Sequence, residues 1–115
     1  MLRQLITDLA GQRSYTNTTS LVTMYVPGTE KVPDVMKMVS SEMSKSTNIK
    51  SRQTRQNVQD SLQAISSQLK IINKFPENGV AFFAGSTEEK FVNTVIDPPS
   101  SINNFFYRCD TAFHL

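Results

Sequence analysis

The spacing of apolar residues predicts three helices in this sequence. Leucines and an isoleucine share one helical face between residues 2 and 10, and Gly11 marks the end of that segment. A second helix begins near Pro33 and Asp34, where a missing N–H is harmless and a negative charge suits the helix dipole. The clearest periodicity lies between residues 51 and 74, where the apolar residues are spaced 4, 3, 4 and 3 apart: Val58, Leu62, Ile65, Leu69 and Ile72.

Four β-rich runs accompany these helices. The run 21–26 ends at Pro27-Gly28, and further strands are predicted at 80–84, 90–96 and 104–109. The resulting order, αβααβββ, indicates an α+β fold. We expect a two-layer sandwich of a mostly antiparallel sheet with packed helices, in which the second and third helices form a long hairpin with residues 47–50 at its tip.

Length and composition narrow the class of protein. A chain of 115 residues with 38% hydrophobic and 19% charged residues suits one globular domain rather than a disordered chain. The longest apolar run, residues 80–84, falls far short of the roughly 20 residues that a membrane helix needs. Charges at Arg3 and Asp8 argue against a signal peptide. We therefore expect no membrane association and a cytoplasmic protein, and the single cysteine agrees with a reducing compartment.

The sequence offers few residues for catalysis or metal binding. Cys109 and His114 are the single cysteine and the single histidine, which argues against a zinc site and a nucleophile–base pair. His114 is next to the last residue, so we interpret it as a surface residue rather than a catalytic base. No glycine-rich phosphate loop, HExxH or GxSxG pattern occurs. We predict no enzymatic activity, no cofactor and no metal.

The basic residues are concentrated in one place. Four of them lie within eleven residues: Lys45, Lys50, Arg52 and Arg55. No acidic residue lies between Glu42 and Asp60, whereas the rest of the chain has eight basic and ten acidic residues. A local positive patch on a mildly acidic body favours contact with a polyanion, most often RNA. A solvated charged surface without a partner is the alternative that charge alone leaves open.

Two motifs carry a resemblance to a known family. Residues 48–51 spell NIKS, and residues 107–113 spell YRCDTAF, a YxCxxxF pattern about 60 residues downstream. Together with the intervening PENGVAFFAG segment at 76–85, they resemble the N-terminal domain of the archaeal and eukaryotic class I peptide chain release factors. The resemblance extends over nearly the whole chain, from about Leu2 to Leu115.

The resemblance implies a role in translation termination. Such a domain recognises stop codons of mRNA in the ribosomal A site, next to ribosomal RNA. In the family, a middle domain with a GGQ tripeptide triggers peptide release and a C-terminal domain binds a translational GTPase. Residues 1–115 contain no GGQ, so we expect a single N-terminal decoding domain of a longer release factor, without the other two domains.

The family motifs assign roles around the tip. Lys50 corresponds to the lysine next to the first-position uridine, and its long stem can reach a base edge. Asn48 and Ser51 shape the tip or cap the following helix, and Ile49 buttresses it. Two further arginines are predicted to contact the RNA backbone, Arg52 and Arg55.

A second group of family positions lies outside the tip. Glu42 corresponds to a glutamate that reads purines at the later codon positions. Tyr107 and Cys109 point to one face of their strand and are expected beside the codon, although core packing is the alternative for Cys109 and for Phe113. The remaining positions are Thr19 and Ser20, whose hydroxyls can contact bases. They follow Thr18, which stands where the family has glycine; a β-branched residue would resist a positive φ there.

Three other functions compete with decoding. A paralogous ribosome-rescue factor would be an RNA- and ribosome-binding module without a codon reader, and the two motifs argue against it. A generic RNA- or protein-binding module predicts that Lys50 and Tyr107 lie far apart. A hydrolase lacks its nucleophile constellation. Decoding instead predicts that one surface holds these residues: Thr19, Ser20, Glu42, Asn48, Lys50, Tyr107 and Cys109.

Overall fold

The computed structural model describes residues 2–115, which form three α-helices, a short 3₁₀ turn and four strands. The elements in chain order are α1 (Leu2–Ala10), the 3₁₀ turn (Tyr15–Asn17), β1 (Leu21–Val26), α2 (Val32–Ser46), α3 (Arg52–Lys70), β2 (Val80–Ser86), β3 (Phe91–Ile96) and β4 (Phe106–Asp110). The α+β class and the antiparallel sheet predicted from the sequence are confirmed. Within residues 2–115, none of the helices combines the length and the apolar composition that a bilayer span requires.

The four strands form one antiparallel sheet in the order β3-β2-β1-β4. β1 and β2 are therefore central, and all of their residues except Tyr25 and Ser86 are buried. β4 lies at the edge next to β1, with Tyr107 opposite Met24 and Cys109 opposite Val22. Because side chains alternate along a strand, Tyr107 and Cys109 share the face to which Val22 and Met24 point.

Helices cover both faces of this sheet. α2 and α3 follow each other along the chain and pack on one face, where Val35, Leu62 and Phe82 belong to a single buried cluster. α1 lies on the other face, where Leu9 packs with Phe83 and neighbouring apolar residues. The two-layer arrangement expected from the sequence therefore carries an additional thin layer, formed by α1.

The predicted elements differ from the observed ones mainly at their ends. α3 ends at Lys70 rather than near Lys74, because the N–H groups of Ile71 and Ile72 donate to carbonyls three residues back, as in a tight final turn. Ile72 nevertheless packs against the core, which explains why the apolar periodicity continues beyond the helix. The 3₁₀ turn was not predicted, since no apolar period marks it.

Candidate nucleic-acid interface

A groove of about 390 Å³ opens beside β4 and α3, on the sheet face covered by α2 and α3. Four separate segments of the chain line it: Thr19, Glu42, Lys45, Ser46, Ile49, Thr54, Val58, Tyr107 and Cys109. Its volume falls in the range of about 300–1,000 Å³ that is usual for sites of small molecules. Five of the predicted codon-contacting residues thus share one concave surface, with Ile49 bringing the NIKS tip to its edge.

Tyr107 and Cys109 form the β4 side of the groove, and both side chains are half-buried. Burial, with a smaller contribution from Cys109 and Glu42, raises the pKa of the Tyr107 phenol above its ordinary value. Burial, together with Asp110 and Glu42, raises the pKa of the Cys109 thiol to about 11. Both groups are therefore neutral at physiological pH, where a phenol can stack on a base or exchange hydrogen bonds with it.

Glu42 supplies the negative charge of the groove. Its carboxylate oxygen Oε2 lies 3.2 Å from Nζ of Lys45, one helical turn further along α2. The carboxylate is 26% exposed, whereas the Lys45 side chain is 73% exposed and reaches into solvent. An exposed pair of this kind contributes little to stability, so Glu42 remains available as a hydrogen-bond acceptor at the groove.

The tip between α2 and α3 is held by local hydrogen bonds. The N–H groups of Asn48 and Ile49 donate to the carbonyls of Lys45 and Ser46, both at 3.1 Å. Ser51 is the N-cap of α3, and its Oγ accepts from the Thr54 N–H at 3.2 Å. The capping role predicted for Ser51 is confirmed.

The side chains of the tip divide into inward and outward groups. Ile49 is half-buried and packs against the core, as a buttress should. Asn48, Lys50 and Ser51 are exposed. The tip therefore presents the lysine and the asparagine to solvent at the edge of the groove.

The two arginines of the adjacent turn have different surroundings. Arg52 is exposed at the start of α3. Arg55 is half-buried, and its Nη1 donates to the carbonyl of Ile49 at 2.9 Å. Arg55 thus braces the tip with one of its five donors, and its predicted contact with an RNA phosphate depends on the donors that remain.

The loop before β1 corrects two expectations. Ser20 is fully buried, so it does not share the exposed surface, and Thr19 alone of the pair is exposed beside the groove. Thr18 has φ −82° and ψ 151°, which is ordinary extended backbone and suits a threonine without strain. In this loop, positive φ values occur instead at the two preceding residues, Thr16 (54°) and Asn17 (55°), of which the β-branched Thr16 is the unusual one.

The end of the YxCxxxF motif faces the opposite side of the sheet. Phe113 is buried there, with its ring edge-on to Phe83 at a centroid distance of 5.7 Å, so this placement does not support a codon contact. His114 is also half-buried rather than a free surface residue, because its N–H donates to Oγ1 of Thr23 and its carbonyl accepts from the Tyr25 hydroxyl. Its ring Nε2 lies 2.9 Å from Oδ2 of Asp110.

The sequence analysis missed two buried polar residues of α3 that lie next to the loop at residues 18–20. Asn57 and Ser61 lie one helical turn apart on α3 and are buried, at 4% and 0% exposure. They adjoin Val58 and Leu62, which belong to the predicted apolar stripe. Polar residues at i and i+4 within a buried face were a signal that could have identified them.

Known proteins share much of this sequence. The family model described as "eRF1 domain 1" matches residues 1–115. The peptide chain release factor subunit 1 of Methanopyrus kandleri is 39% identical over 101 residues, covering 84% of this chain and 25% of that protein. The same factor of Pyrobaculum aerophilum is 45% identical over 101 residues, covering 84% of this chain and 26% of that protein.

A solved structure shares the fold. The crystal structure of the archaeal translation termination factor aRF1 superposes with a TM-score of 0.90 at 33% identity, over 98% of this chain and 31% of that chain. The chain spans about a quarter of the length of the curated relatives it matches. Because the family model covers the whole sequence and these relatives share its sequence and fold, the chain belongs to the eRF1 domain 1 family.

Proposed function

We propose that this chain acts in translation termination, as the domain that recognises stop codons of mRNA in the ribosomal A site. The observation that carries the proposal is the groove, where Thr19, Glu42, Ile49, Tyr107 and Cys109 meet although they are spread over 91 positions of the sequence. A generic binding module would have no reason to bring Ile49 of one motif together with Tyr107 and Cys109 of the other on one concave surface.

The chemistry of the groove suits unstacked bases. Single-stranded RNA is usually recognised through bases that stack on aromatic rings and exchange hydrogen bonds along their edges. The neutral phenol of Tyr107 offers both, and Glu42 accepts from an exocyclic amine while repelling the O6 of guanine. Lys50 on the exposed tip carries a charge that suits the phosphate-rich surroundings of a ribosome.

Binding rather than catalysis is the role that the site residues support. The Cys109 thiol stays protonated until the pH approaches about 11, so it is a poor nucleophile at neutral pH. His114 contacts Tyr25 and Thr23, whose side chains point away from the groove face of β1, and so cannot serve Cys109 as a base. We therefore assign no catalytic step to this chain.

We also propose the other domains, the partners and the location with which this domain would act. Peptide release would be triggered by a GGQ domain of a longer release factor, and a translational GTPase would bind through its remaining domains. Ribosomal RNA and the mRNA codon would be the direct partners of residues 1–115, with Arg52 and the free donors of Arg55 on the RNA backbone. The site of action would be the cytoplasm.

A domain exchange tests the function. This chain replaces the matching N-terminal region of the M. kandleri release factor, and peptide release is measured on ribosomes programmed with each stop codon or with a sense codon. Decoding predicts release at stop codons only. Equal release on the sense codon would favour a rescue factor, and no release at any codon would contradict the proposal.

Lys50→Ala in the same chimaera separates codon reading from positioning. A contact with a base edge is worth about 1–3 kcal/mol, so release at saturating factor should fall roughly 5- to 150-fold. Arg52→Ala, two residues away and also exposed, is the matched control. This substitution should raise the factor concentration needed for half-maximal release equally at every stop codon. Release should return to the parent level at saturating factor. Full recovery of Lys50→Ala at saturation would show that Lys50 does not read the codon.

A further inference from the structure

A chain of side-chain hydrogen bonds ties the loop at residues 18–20 to the buried side of α3. Nε2 of Gln53 donates to Oδ1 of Asn57 at 2.8 Å, and Nδ2 of Asn57 donates to Oγ1 of Thr18 at 3.0 Å. One turn along α3, Oγ of Ser61 donates to the carbonyl of Ser20 at 2.7 Å. These bonds join residues that are 39 and 41 positions apart in sequence.

The Thr18 hydroxyl is the centre of this network, because three polar partners surround it. Oγ1 lies 3.1 Å from the Tyr15 carbonyl, which can only accept, and 3.0 Å from the Asn57 amide, which donates. The Ser20 hydroxyl, at 2.8 Å, then supplies a proton to the remaining lone pair. One donor and two acceptor sites are all used, and Asn57 and Ser20 are both buried.

The hydroxyl of Thr18, and not its backbone conformation, gives this residue its structural role. The backbone at Thr18 is extended, so the position does not require the conformational freedom of glycine. A glycine would instead remove Oγ1 and leave the buried Asn57 amide and Ser20 hydroxyl without this partner. Unsatisfied buried donors are costly, which makes Thr18 and Asn57 a matched pair in this chain.

The other side of the loop is anchored on β4. Sγ of Cys109 donates to the Thr19 carbonyl at 3.3 Å, and the Ser20 N–H donates to the Asp110 carbonyl at 3.1 Å. Thr19 is thus held between α3 and β4 through its neighbours and its own backbone, while its side chain is exposed in the groove.

We propose that Asn57, acting through the Thr18 hydroxyl, is a positioning residue that fixes Thr19 at the groove and so governs how strictly the groove distinguishes adenine from guanine. The specificity part rests on the function proposed above, whereas the positioning part concerns the chain alone. A hydroxyl can donate to O6 of guanine or accept from the exocyclic amine of adenine. Discrimination between them requires that the hydroxyl stay in one place, because a mobile loop could satisfy either base.

Cys109 reports the position of the loop without any RNA. It is the one cysteine of the sequence, and its thiol is bonded to the Thr19 carbonyl, so its reaction with a disulfide reagent such as DTNB monitors release of the loop. Thr18→Val removes the hydroxyl and keeps the shape, Thr18→Ser keeps the hydroxyl, and Asn57→Ala removes the amide. Gln56→Ala, which loses an exposed bond to Asp60 on the same helix, is the matched control.

The expected labelling rates distinguish loss of the Thr18–Asn57 hydrogen bond from a general loss of stability. Thr18→Val and Asn57→Ala should each accelerate labelling roughly 2- to 13-fold, the equivalent of one net hydrogen bond. The double variant should label about as fast as the faster single variant, since the same bond is lost only once. Thr18→Ser and Gln56→Ala should label like the parent chain. Parent-like labelling of Asn57→Ala, or fully additive effects, would overturn the positioning role.

Specificity is measured in the release chimaera at saturating factor. Thr18→Val and Asn57→Ala should raise release at the tryptophan codon UGG relative to UAA by about 2- to 10-fold, with Thr18→Ser restoring the parent ratio. A merely structural role would lower release at both codons and leave the ratio unchanged, which would overturn the specificity claim. A parent chimaera inactive at every stop codon would overturn the proposed function together with that claim, while labelling would still decide the positioning role.

Discussion

The tip at residues 47–51 and the loop at residues 18–20 border the same groove but are held in opposite ways. Every bond described for the tip joins residues no more than six positions apart, including the brace from Arg55 to Ile49. The loop depends on partners 39 to 90 positions away, on α3 and β4. The tip is therefore a local structure presented by two helices, whereas the loop exists only in the folded domain.

This difference means that the tip and the loop respond differently to substitutions elsewhere in the chain. A tip held by local hydrogen bonds, with Ile49 packed against the core, can project Lys50 into solvent without hydrogen bonds from distant segments. The loop needs the core, and a change far from the groove in sequence can therefore move Thr19. Substitutions that release the loop should affect the folded state as a whole, while those at the tip should remain local.

The largest expected effect concerns Cys109, which holds the loop from the β4 side. Because its pKa is raised from an ordinary 9.0 to about 11, the thiolate appears only as the pH rises towards 11, and below pH 9 its population should be about 100-fold lower than that of an ordinary thiol. Alkylation by iodoacetamide as a function of pH measures this population. The chain unfolded in guanidinium is the control and should react as a free thiol; a midpoint near pH 9 in the folded chain would contradict the prediction.

Ser61→Ala should remove one of the hydrogen bonds that hold the loop to α3. The substitution removes the donor to the buried Ser20 carbonyl, and an unsatisfied buried group costs about 1–3 kcal/mol in the free energy of unfolding. Urea denaturation measures the change. Ser67→Ala on the exposed side of α3 is the matched control and should be neutral or slightly stabilising. Equal stability of the two variants would show that the loop does not depend on this bond.

Ser51→Ala should have the smallest effect, because it acts within the tip. Loss of the N-cap bond to the Thr54 N–H typically costs about 1 kcal/mol, and no long-range partner is lost with it. Urea denaturation gives the energy, and amide hydrogen exchange should show the change confined to the first turn of α3. Faster exchange at residues 18–20 in this variant would mean that tip and loop are coupled after all.

Local signals explain what could be predicted for the fold. The apolar periods of α1 and α3, the β-rich run of β1 and the Pro-Asp start of α2 are set by neighbouring residues, so these elements were recognisable before any packing was known. The N-cap at Ser51 is likewise set by neighbouring residues. The end of α3 was displaced because Ile72 packs against the core after the helix has finished.

The amino-acid sequence by itself determined the α+β class, the exposed basic tip and, through two motifs, the family. Tertiary structure decided which motif residues meet: it brought Thr19 and Tyr107 into one groove, buried Ser20, and turned Phe113 into the core on the opposite face. It also revealed Asn57 and Ser61 beneath the loop. The physical reason is that helical periods and caps depend on neighbours a few positions away, while burial and cross-chain hydrogen bonds depend on which distant segments the sheet brings together.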